Sequence, residues 1–161
     1  MLFQIFMTIV ITVTWMLFQN SFTIVDLGLG YAVSIGIVFF FISLKGERFY
    51  LGRVWAAFVF IAVFLRELVV ANLHVAKIVI SPKIDIEPGI IAIPTKLQSE
   101  TEKTLLAASL TLTPGSLSME FSEDGKTLFV HFLEAGDREE RIRFILDTFE
   151  KRILEVTRDY V

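Results

Sequence analysis

The chain has 161 residues and no cysteine, with a hydrophobic share of 54% and a mean hydropathy of +0.65. That apolar share exceeds the share typical of soluble domains and favours a membrane protein, while the missing cysteines exclude disulfides, thiolate metal sites and thiol nucleophiles. Residues 81–161 carry ten basic and fifteen acidic side chains, a net charge of −5, and so offer no basic face to nucleic acid.

Two apolar segments open the chain. Residues 2–19 carry no charge, and at roughly 1.5 Å per residue they are long enough to cross a hydrocarbon core of about 30 Å. Residues 24–44 form a second such segment, which contains Gly28, Gly30 and Gly36. Small residues let membrane helices approach closely, so we predict a helical hairpin with a candidate docking face; the alternative is the glycine content common to membrane helices.

The segment that follows the hairpin is basic. Residues 45–53 carry Lys45, Arg48 and Arg53, and the positive-inside rule places such a loop in the cytoplasm. The amino terminus is then also cytoplasmic. Asp26, near the start of the second apolar segment, is interpreted as an interfacial residue rather than an ion ligand, because membrane-buried carboxylates usually lie deeper and have a partner.

Residues 54–80 are long enough to form a third membrane span, but a span would carry the rest of the chain outside the cell. On a helical wheel the charged residues and the histidine of its second half fall within one arc of about 100°, opposite Val63, Val70 and Asn72; they are Arg66, Glu67, His74 and Lys77. We therefore favour an amphipathic helix along the cytoplasmic interface, with a third span as the alternative.

Glu67 and His74 are seven residues apart and share a helix face. Such a pair near a membrane could belong to a proton path. The simpler interpretation, which we favour at this stage, is a solvated polar stripe that also includes Arg66 and Lys77.

The remaining residues predict a small α+β domain. Ser81-Pro82 ends the preceding helix, and residues 89–94 form an apolar, β-branched run between prolines, typical of a strand. A capping box of Ser99 and Glu102 starts a helix near residue 100, which is expected to end near residue 110. A β-hairpin around Asp124-Gly125 and a helix over residues 137–157 follow, which gives the order β-α-β-β-α, similar to an incomplete split β-α-β sandwich.

Apolar residues occur at every second position of the two predicted strands, so one face of the hairpin is expected to pack on the core. Leu117, Met119 and Phe121 are expected to face the same side as Leu128, Val130 and Phe132. His131 then lies on the other face. It has no cysteine, aspartate or second histidine at ligand spacing, so we interpret it as a surface or partner contact rather than a metal ligand.

The turn Thr113-Pro114-Gly115 joins the predicted helix to the hairpin. It follows a helix and precedes a strand, and Pro114 has no N–H, so it does not fit a phosphate-binding loop. An extended Thr113, a proline and a glycine suit a type II turn, so we interpret the three residues as a structural corner. No catalytic, cofactor-binding or metal-binding motif is found in the sequence.

The segments RELVVANLHVAKIVISP, PGIIAIP, TLLAASLTLTPGSLS and KTLFVHFLE occur in this order. Together with the hairpin they resemble the E-type subunit of the Mrp-type multisubunit sodium/proton antiporter, whose pattern combines ANxxVAxxV, LTxTPGxL and a hairpin that ends in VHxL. The resemblance covers nearly the whole chain. It implies an accessory and assembly protein of the bacterial plasma membrane, with other antiporter subunits and the lipid bilayer as partners, no cofactor, and no enzymatic role.

The expected architecture is therefore a transmembrane helical hairpin with a basic loop (1–53), an amphipathic or third membrane helix (54–82) and a cytoplasmic α+β domain (83–161). The candidate subunit-contact or coupling residues are Gly28, Gly30, Gly36, Glu67, Asn72 and His74. The alternative function is a free-standing, membrane-anchored regulator or enzyme whose soluble domain binds a small ligand.

Overall fold

The structure is a computed structural model that describes residues 2–47, 49–84 and 86–158. Arg48 of the basic loop lies outside the described residues. The elements in chain order are α1 (Leu2–Gln19), α2 (Ile24–Lys45), α3 (Tyr50–Ile80), β1 (Gly89–Pro94), α4 (Glu100–Leu112), β2 (Ser116–Phe121), β3 (Thr127–Phe132), α5 (Arg138–Ile145), a π-helical segment (Leu146–Glu150) and α6 (Lys151–Thr157). The chain divides into two compact units, residues 1–55 and 56–161.

In the first unit, α1 and α2 form the predicted hairpin. Thr23 caps α2 and forms a capping box with Asp26, which satisfies backbone N–H groups at the helix start. Gly46 ends α2 with a φ of +67°, a conformation that glycine adopts without strain. Gln4 accepts a hydrogen bond from the Tyr50 N–H at 2.8 Å, so α1 satisfies a donor at the start of α3.

The third helix is continuous. α3 has 31 residues, which at roughly 1.5 Å per residue corresponds to a length of about 46 Å. Among the described residues, three helices are long and apolar enough to cross a membrane, namely α1, α2 and α3. The chain therefore combines three potential membrane helices with a following α+β region.

The α+β region contains, within the described residues, one three-stranded sheet of order β1-β3-β2. Both neighbouring pairs are antiparallel, so β1 and β2 run parallel with β3 between them. This is the split β-α-β arrangement that the sequence predicts. α4 connects β1 to β2, as a crossover between parallel strands requires.

One face of the sheet forms the core with the helices. Ile93, Leu106, Val130 and Ile153 are fully buried. The rest of this apolar cluster includes Ile91, Leu97, Leu110, Leu128, Phe132, Ile145, Phe149 and Leu154. The helical spacing predicted for residues 137–157 is thus realised by α5 and α6, although the π-helical segment interrupts them.

The face predicted for β2 is wrong in part. Leu117 and Met119 are 50% and 54% exposed, and Leu117 lies opposite His131. The hydroxyls of Ser116 and Ser118 occupy the inner side instead and donate to carbonyl oxygens of α4 at 2.7 and 3.0 Å. A bulge between Ser118 and Glu120 then shifts the register, so Phe121 pairs with Leu128 on the core side.

The buried carboxylate of Glu102 links the start of α4 to the end of α6. Glu102 completes the predicted capping box with Ser99 and also accepts hydrogen bonds from Arg158 and Thr157. The Arg158 guanidinium, together with the hydrogen bonds from Thr157 and the backbone N–H groups of Gln98 and Ser99, lowers the pKa of Glu102 to about 2. The start of α4 and the end of α6 are thus joined by one ionised side chain.

Candidate functional site

A cavity of about 320 Å³ lies in the second unit, along one side of α3. Its walls are formed by α3, the turn between α4 and β2, the end of β3, and α5 with the π-helical segment. Most of the lining is apolar, and a few polar residues contribute to it; they are Glu67, His74, Thr113, Ser116, Glu134 and Arg141. An apolar cavity with few polar groups is the usual form of a small binding site.

His74 of α3 and Glu134, in the segment after β3, form a short polar contact at this cavity. The His74 Nε2 lies 2.7 Å from the Glu134 Oε2, with the side chains 56% and 32% exposed. Arg141 donates to the Glu134 backbone oxygen at 2.9 Å, and its guanidinium lies 5.4 Å from the centre of the Phe132 ring. A hydrogen bond and a cation–π contact therefore fix the position of Arg141 beside the pair.

Glu67 is the buried carboxylate of the cavity. It is 8% exposed and accepts a hydrogen bond from Arg66 Nη1 at 2.9 Å. Arg66 itself is largely exposed, as is Lys77. The polar stripe predicted on α3 is thus divided: Glu67 and His74 line the cavity, whereas Arg66 and Lys77 lie outside its lining.

The turn after α4 contributes another wall. Gly115 has a φ of +89°, and the Ser116 N–H donates to the Thr113 oxygen at 3.3 Å. A Cβ added at Gly115 would lie 3.5 Å from Val75 Cγ2 of α3, so the turn approaches α3 closely. Thr113, Pro114 and Gly115 therefore lie at the same cavity as Glu67 and His74.

The other predicted contact residues lie elsewhere. The Asn72 side chain donates to the Leu68 oxygen of its own helix at 2.7 Å and does not line the cavity. In the first unit, a Cβ added at Gly30 would lie 3.0 Å from Trp15 Cδ1 and 3.2 Å from the Thr12 oxygen. Gly28 and Gly36 have nothing within 4 Å of such a Cβ. Gly30 thus belongs to the hairpin interior, and the other two glycines face away from it.

Sequence reasoning missed Glu134 and Arg141. Glu134 is 60 residues from His74, and no spacing pattern connects two residues so far apart. Within the described residues, no group of three or more His, Cys, Asp or Glu side chains is placed to hold a metal ion. The cavity contains a histidine–carboxylate pair, and the hydroxyls of Thr113 and Ser116 in its lining donate to backbone oxygens rather than to a side-chain base.

Comparisons with known proteins agree over nearly the whole chain. A family model described as Na+/H+ ion antiporter subunit matches residues 8–156. The E-type Na(+)/H(+) antiporter subunit of Alkalihalophilus pseudofirmus is 49% identical over 158 residues, which cover 98% of this chain and 100% of the relative. The corresponding protein of Bacillus subtilis is 37% identical with the same coverage of both chains.

A solved structure is also similar. A chain of the membrane-bound sulfane sulfur reductase, an archaeal respiratory membrane complex, aligns with a TM-score of 0.54 at 29% identity, covering 93% of this chain and 96% of that chain. The family model and the two antiporter relatives extend across the membrane helices and the α+β region alike. The chain therefore belongs to the family of E-type Na+/H+ antiporter subunits.

Proposed function

We propose that this chain is an accessory and assembly subunit of a multisubunit Na+/H+ antiporter in the bacterial plasma membrane. The observation that carries the proposal is the family match, with antiporter relatives aligned over 98% of the chain. The chain scaffolds or couples the complex and does not form the ion path alone. No observation favours the alternative of a free-standing regulator or enzyme.

The distribution of charge supports a scaffolding role. In the described parts of α1 and α2 the charged side chains are Asp26 and Lys45, in the first and last turns of α2. The buried polar residues between them are neutral; they are Gln4, Thr8, Thr12 and Ser34. Ion paths through membranes usually contain buried ionisable groups, so this hairpin is better suited to packing against other helices.

The α+β domain faces the cytoplasm in this proposal, and residues 54–82 lie along the cytoplasmic interface. The basic residues of the segment 45–53 support that side, and the exposed polar residues Arg66 and Lys77 suit an interfacial position. The hairpin (1–53), the third helix (54–82) and the cytoplasmic domain (83–161) would then have separate roles in anchoring, positioning and contact with sister subunits.

Single cysteines test this orientation, because the native chain has none. With a membrane-impermeant maleimide on intact cells, we expect no labelling of Glu123→Cys in the β-hairpin or Glu47→Cys after α2, and labelling of both once the cells are permeabilised. Phe22→Cys, between α1 and α2, is the external control and should react in intact cells. Labelling of Glu123→Cys from outside would contradict the orientation and favour three spans.

The assembly role is tested by deleting the chain from cells that express the whole complex. We expect sister subunits to separate during purification, and Na+/H+ exchange in everted vesicles to fall with the amount of intact complex. Restoring the chain should restore both. A deletion strain with a fully assembled complex and unchanged exchange would contradict the proposed function.

The cavity beside α3 is the candidate coupling site. His74→Gln keeps a hydrogen-bonding side chain but removes the titratable ring, and Glu134→Gln removes the partner charge. If the pair couples the domain to exchange, either variant should lower the exchange rate severalfold while the complex remains assembled. His131→Gln, on the exposed side of β3, is the matched control. Unchanged exchange in both cavity variants would leave the pair with a structural role only.

A further inference from the structure

β1 forms one edge of the sheet, and half of its backbone groups point away from β3. The Thr95 N–H donates to the Lys126 oxygen at 2.8 Å, directly after the pair Pro94 and Thr127, and this bond sets the phase of the antiparallel ladder. Because bonded and non-bonded positions alternate, Gly89, Ile91 and Ile93 bond to β3. The N–H and C=O groups of Ile90 and Ala92 therefore point outward.

The outward backbone groups of Ile90 and Ala92 have no hydrogen-bond partner in the described part of the chain. The Ile90 side chain is 60% exposed. β1 reads GIIAIP and has neither a charged residue nor a bulge. Natural sheets limit edge pairing with charges, bulges, proline, short strands or a covering segment. Of these, β1 has its six-residue length and Pro94 at its end, which leave Ile90 and Ala92 as the positions that can pair.

The opposite edge of the same sheet is protected. The Leu133 N–H donates to the Gly115 oxygen, which sets the phase of this ladder and directs the N–H groups of Ser116 and Ser118 outward. Both are satisfied within the domain, by the Thr113 oxygen and the Thr111 hydroxyl at 3.3 and 3.2 Å. The bulge at Ser118/Glu120 bends this strand further. The two edges thus differ: the outward N–H groups of Ser116 and Ser118 on β2 are satisfied within the domain, whereas no hydrogen bond to the outward N–H groups of Ile90 and Ala92 is formed within the described residues.

The shortness of β1 limits what can pair with it. Two outward residues provide a few hydrogen bonds and far less than the roughly 1,000 Å² that a stable interface between free proteins needs. A segment that pairs with β1 must therefore be held close to it by another contact. A sister subunit in the same membrane complex meets this condition, because tethering converts weak pairing into an intramolecular event.

The charges around the Gly89 end of β1 indicate which charged residue a segment paired with β1 should carry. The Ala135 N–H donates to the Glu87 oxygen at 2.8 Å, which holds the segment before α5 next to the Gly89 end of β1. Exposed carboxylates lie in these two neighbouring segments and in the first turn of α5; they are Glu87, Asp137, Glu139 and Glu140. Arg138 in the same turn is also exposed, so these five residues together carry a net charge of −3. A strand that ends there is stabilised by a lysine or arginine.

We propose that the outer edge of β1 accepts, as a fourth strand, an extended uncharged segment of a sister subunit with a Lys or Arg beside Gly89. Main-chain bonds to Ile90 and Ala92 supply the pairing, as in other cases of strand addition. The proposal rests on the proposed function, because it requires sister subunits.

Amide hydrogen exchange tests the edge directly. In the full chain purified alone, the amides of Ile91 and Ile93 should be protected and those of Ile90 and Ala92 should exchange quickly. In the purified complex, the Ile90 and Ala92 amides should slow by about tenfold or more, because exchange of paired amides requires local opening. If no sister subunit copurifies with the unaltered chain, both proposals are overturned. If the subunits copurify while these two amides keep their fast exchange, the strand addition alone is overturned.

Variants separate pairing from folding. Ala92→Pro removes an outward N–H that the ladder to β3 does not use, and edge strands tolerate proline at such positions. It should weaken retention of sister subunits severalfold, whereas Ala92→Ser, which keeps the N–H, should retain them. Met119→Lys on the protected edge should have no effect, and Ile90→Lys should act like Ala92→Pro. Equal retention in all four variants would overturn the proposal. So would protection of Ile90 and Ala92 that grows with concentration in the chain alone, since that would assign the edge to a second copy.

Discussion

In the helical hairpin of residues 2–45, neutral polar side chains are buried between the helices while large apolar side chains point outward. The α+β domain shows the reverse pattern, with an apolar cluster inside and charged groups mostly at its surface. Lipid gives membrane helices no hydrophobic reason to associate, so close packing and hydrogen bonds must hold them. In water, burial of apolar area is the main stabilising contribution. The surrounding solvent therefore decides which residue types carry stability in each region.

The largest expected effect comes from one substitution made in both regions. Leu106→Ala removes a fully buried side chain from the core of the α+β domain and should lower its free energy of unfolding by about 2–5 kcal/mol. Leu17→Ala removes a side chain that is 61% exposed on α1 and should change the stability little. Thermal unfolding of the full chain in detergent measures both. Equal losses would show that the two regions follow the same packing rule.

Glu102 is a buried charged side chain in the α+β domain, whose interior is otherwise mostly apolar. Its pKa falls from an ordinary value of 4.5 to about 2, so the folded state favours the ionised form by about 3 kcal/mol. This contribution is complete above pH 4.5 and decreases as the pH falls toward 2. Glu102→Gln should therefore be less stable at neutral pH, and its difference from the native chain should narrow on acidification.

The control for this pH dependence is Glu100→Gln, in the same first turn of α4 but with a side chain that is almost fully exposed. Denaturant unfolding at several pH values compares the two variants. A stability difference between native and Glu102→Gln chains that stays constant from neutral pH to pH 2 would contradict the role of the ionised carboxylate.

The packing of the hairpin is tested by adding one methyl group at two glycines. Gly30→Ala places a Cβ against Trp15 and the Thr12 oxygen and should destabilise the hairpin by about 1–3 kcal/mol, because the helices must separate slightly. Gly28→Ala meets no atom within 4 Å and should be neutral within the hairpin. Unfolding in mixed micelles distinguishes them. A loss of sister subunits in Gly28→Ala alone would assign that residue to an interface.

The smallest effect concerns a single hydroxyl. Thr12 Oγ1 lies 3.0 Å from Ser34 Oγ across the hairpin as well as 2.7 Å from the Thr8 oxygen of its own helix, whereas the Thr14 hydroxyl bonds only to the Val10 oxygen of its own helix. Thr12→Val should cost about 0.6 kcal/mol, the average for such bonds between membrane helices, and Thr14→Val should cost less. The same micelle assay applies, and a larger loss in Thr14→Val would contradict the importance of the bond across the hairpin.

Much of the fold follows from local patterns. The apolar runs predict α1, α2 and α3, and the capping box of Ser99 and Glu102 and the turn at Asp124-Gly125 occur as predicted. The strand order β1-β3-β2 also fits the predicted split β-α-β unit. These features depend on hydrogen bonds and periodicities within a few residues, which a single segment contains.

The candidate site was only partly predictable. Glu67 and His74 share a helix face in the sequence, and both line the cavity, but the partner of His74 is Glu134. The face of Leu117 was predicted wrongly because alternation ignores the bulge and the serine hydroxyls that replace apolar contacts beneath it. The sequence cannot distinguish Gly28, Gly30 and Gly36, because all three are glycines in the same apolar segment. Only the rotation of α2 about its axis places Gly30 against α1 and the other two away from it.

Local chemistry is sufficient to set where the helices and strands begin and end, how apolar each one is, and the order in which they follow. Helix caps, glycine turns and hydrophobic periodicity act within a few residues, so no distant segment is needed to set them. Only packing in three dimensions sets which side of β2 meets the core, which carboxylate meets His74, and which strands form the edges of the sheet. Those outcomes depend on segments far apart in the chain, where a shift of one residue reverses a face.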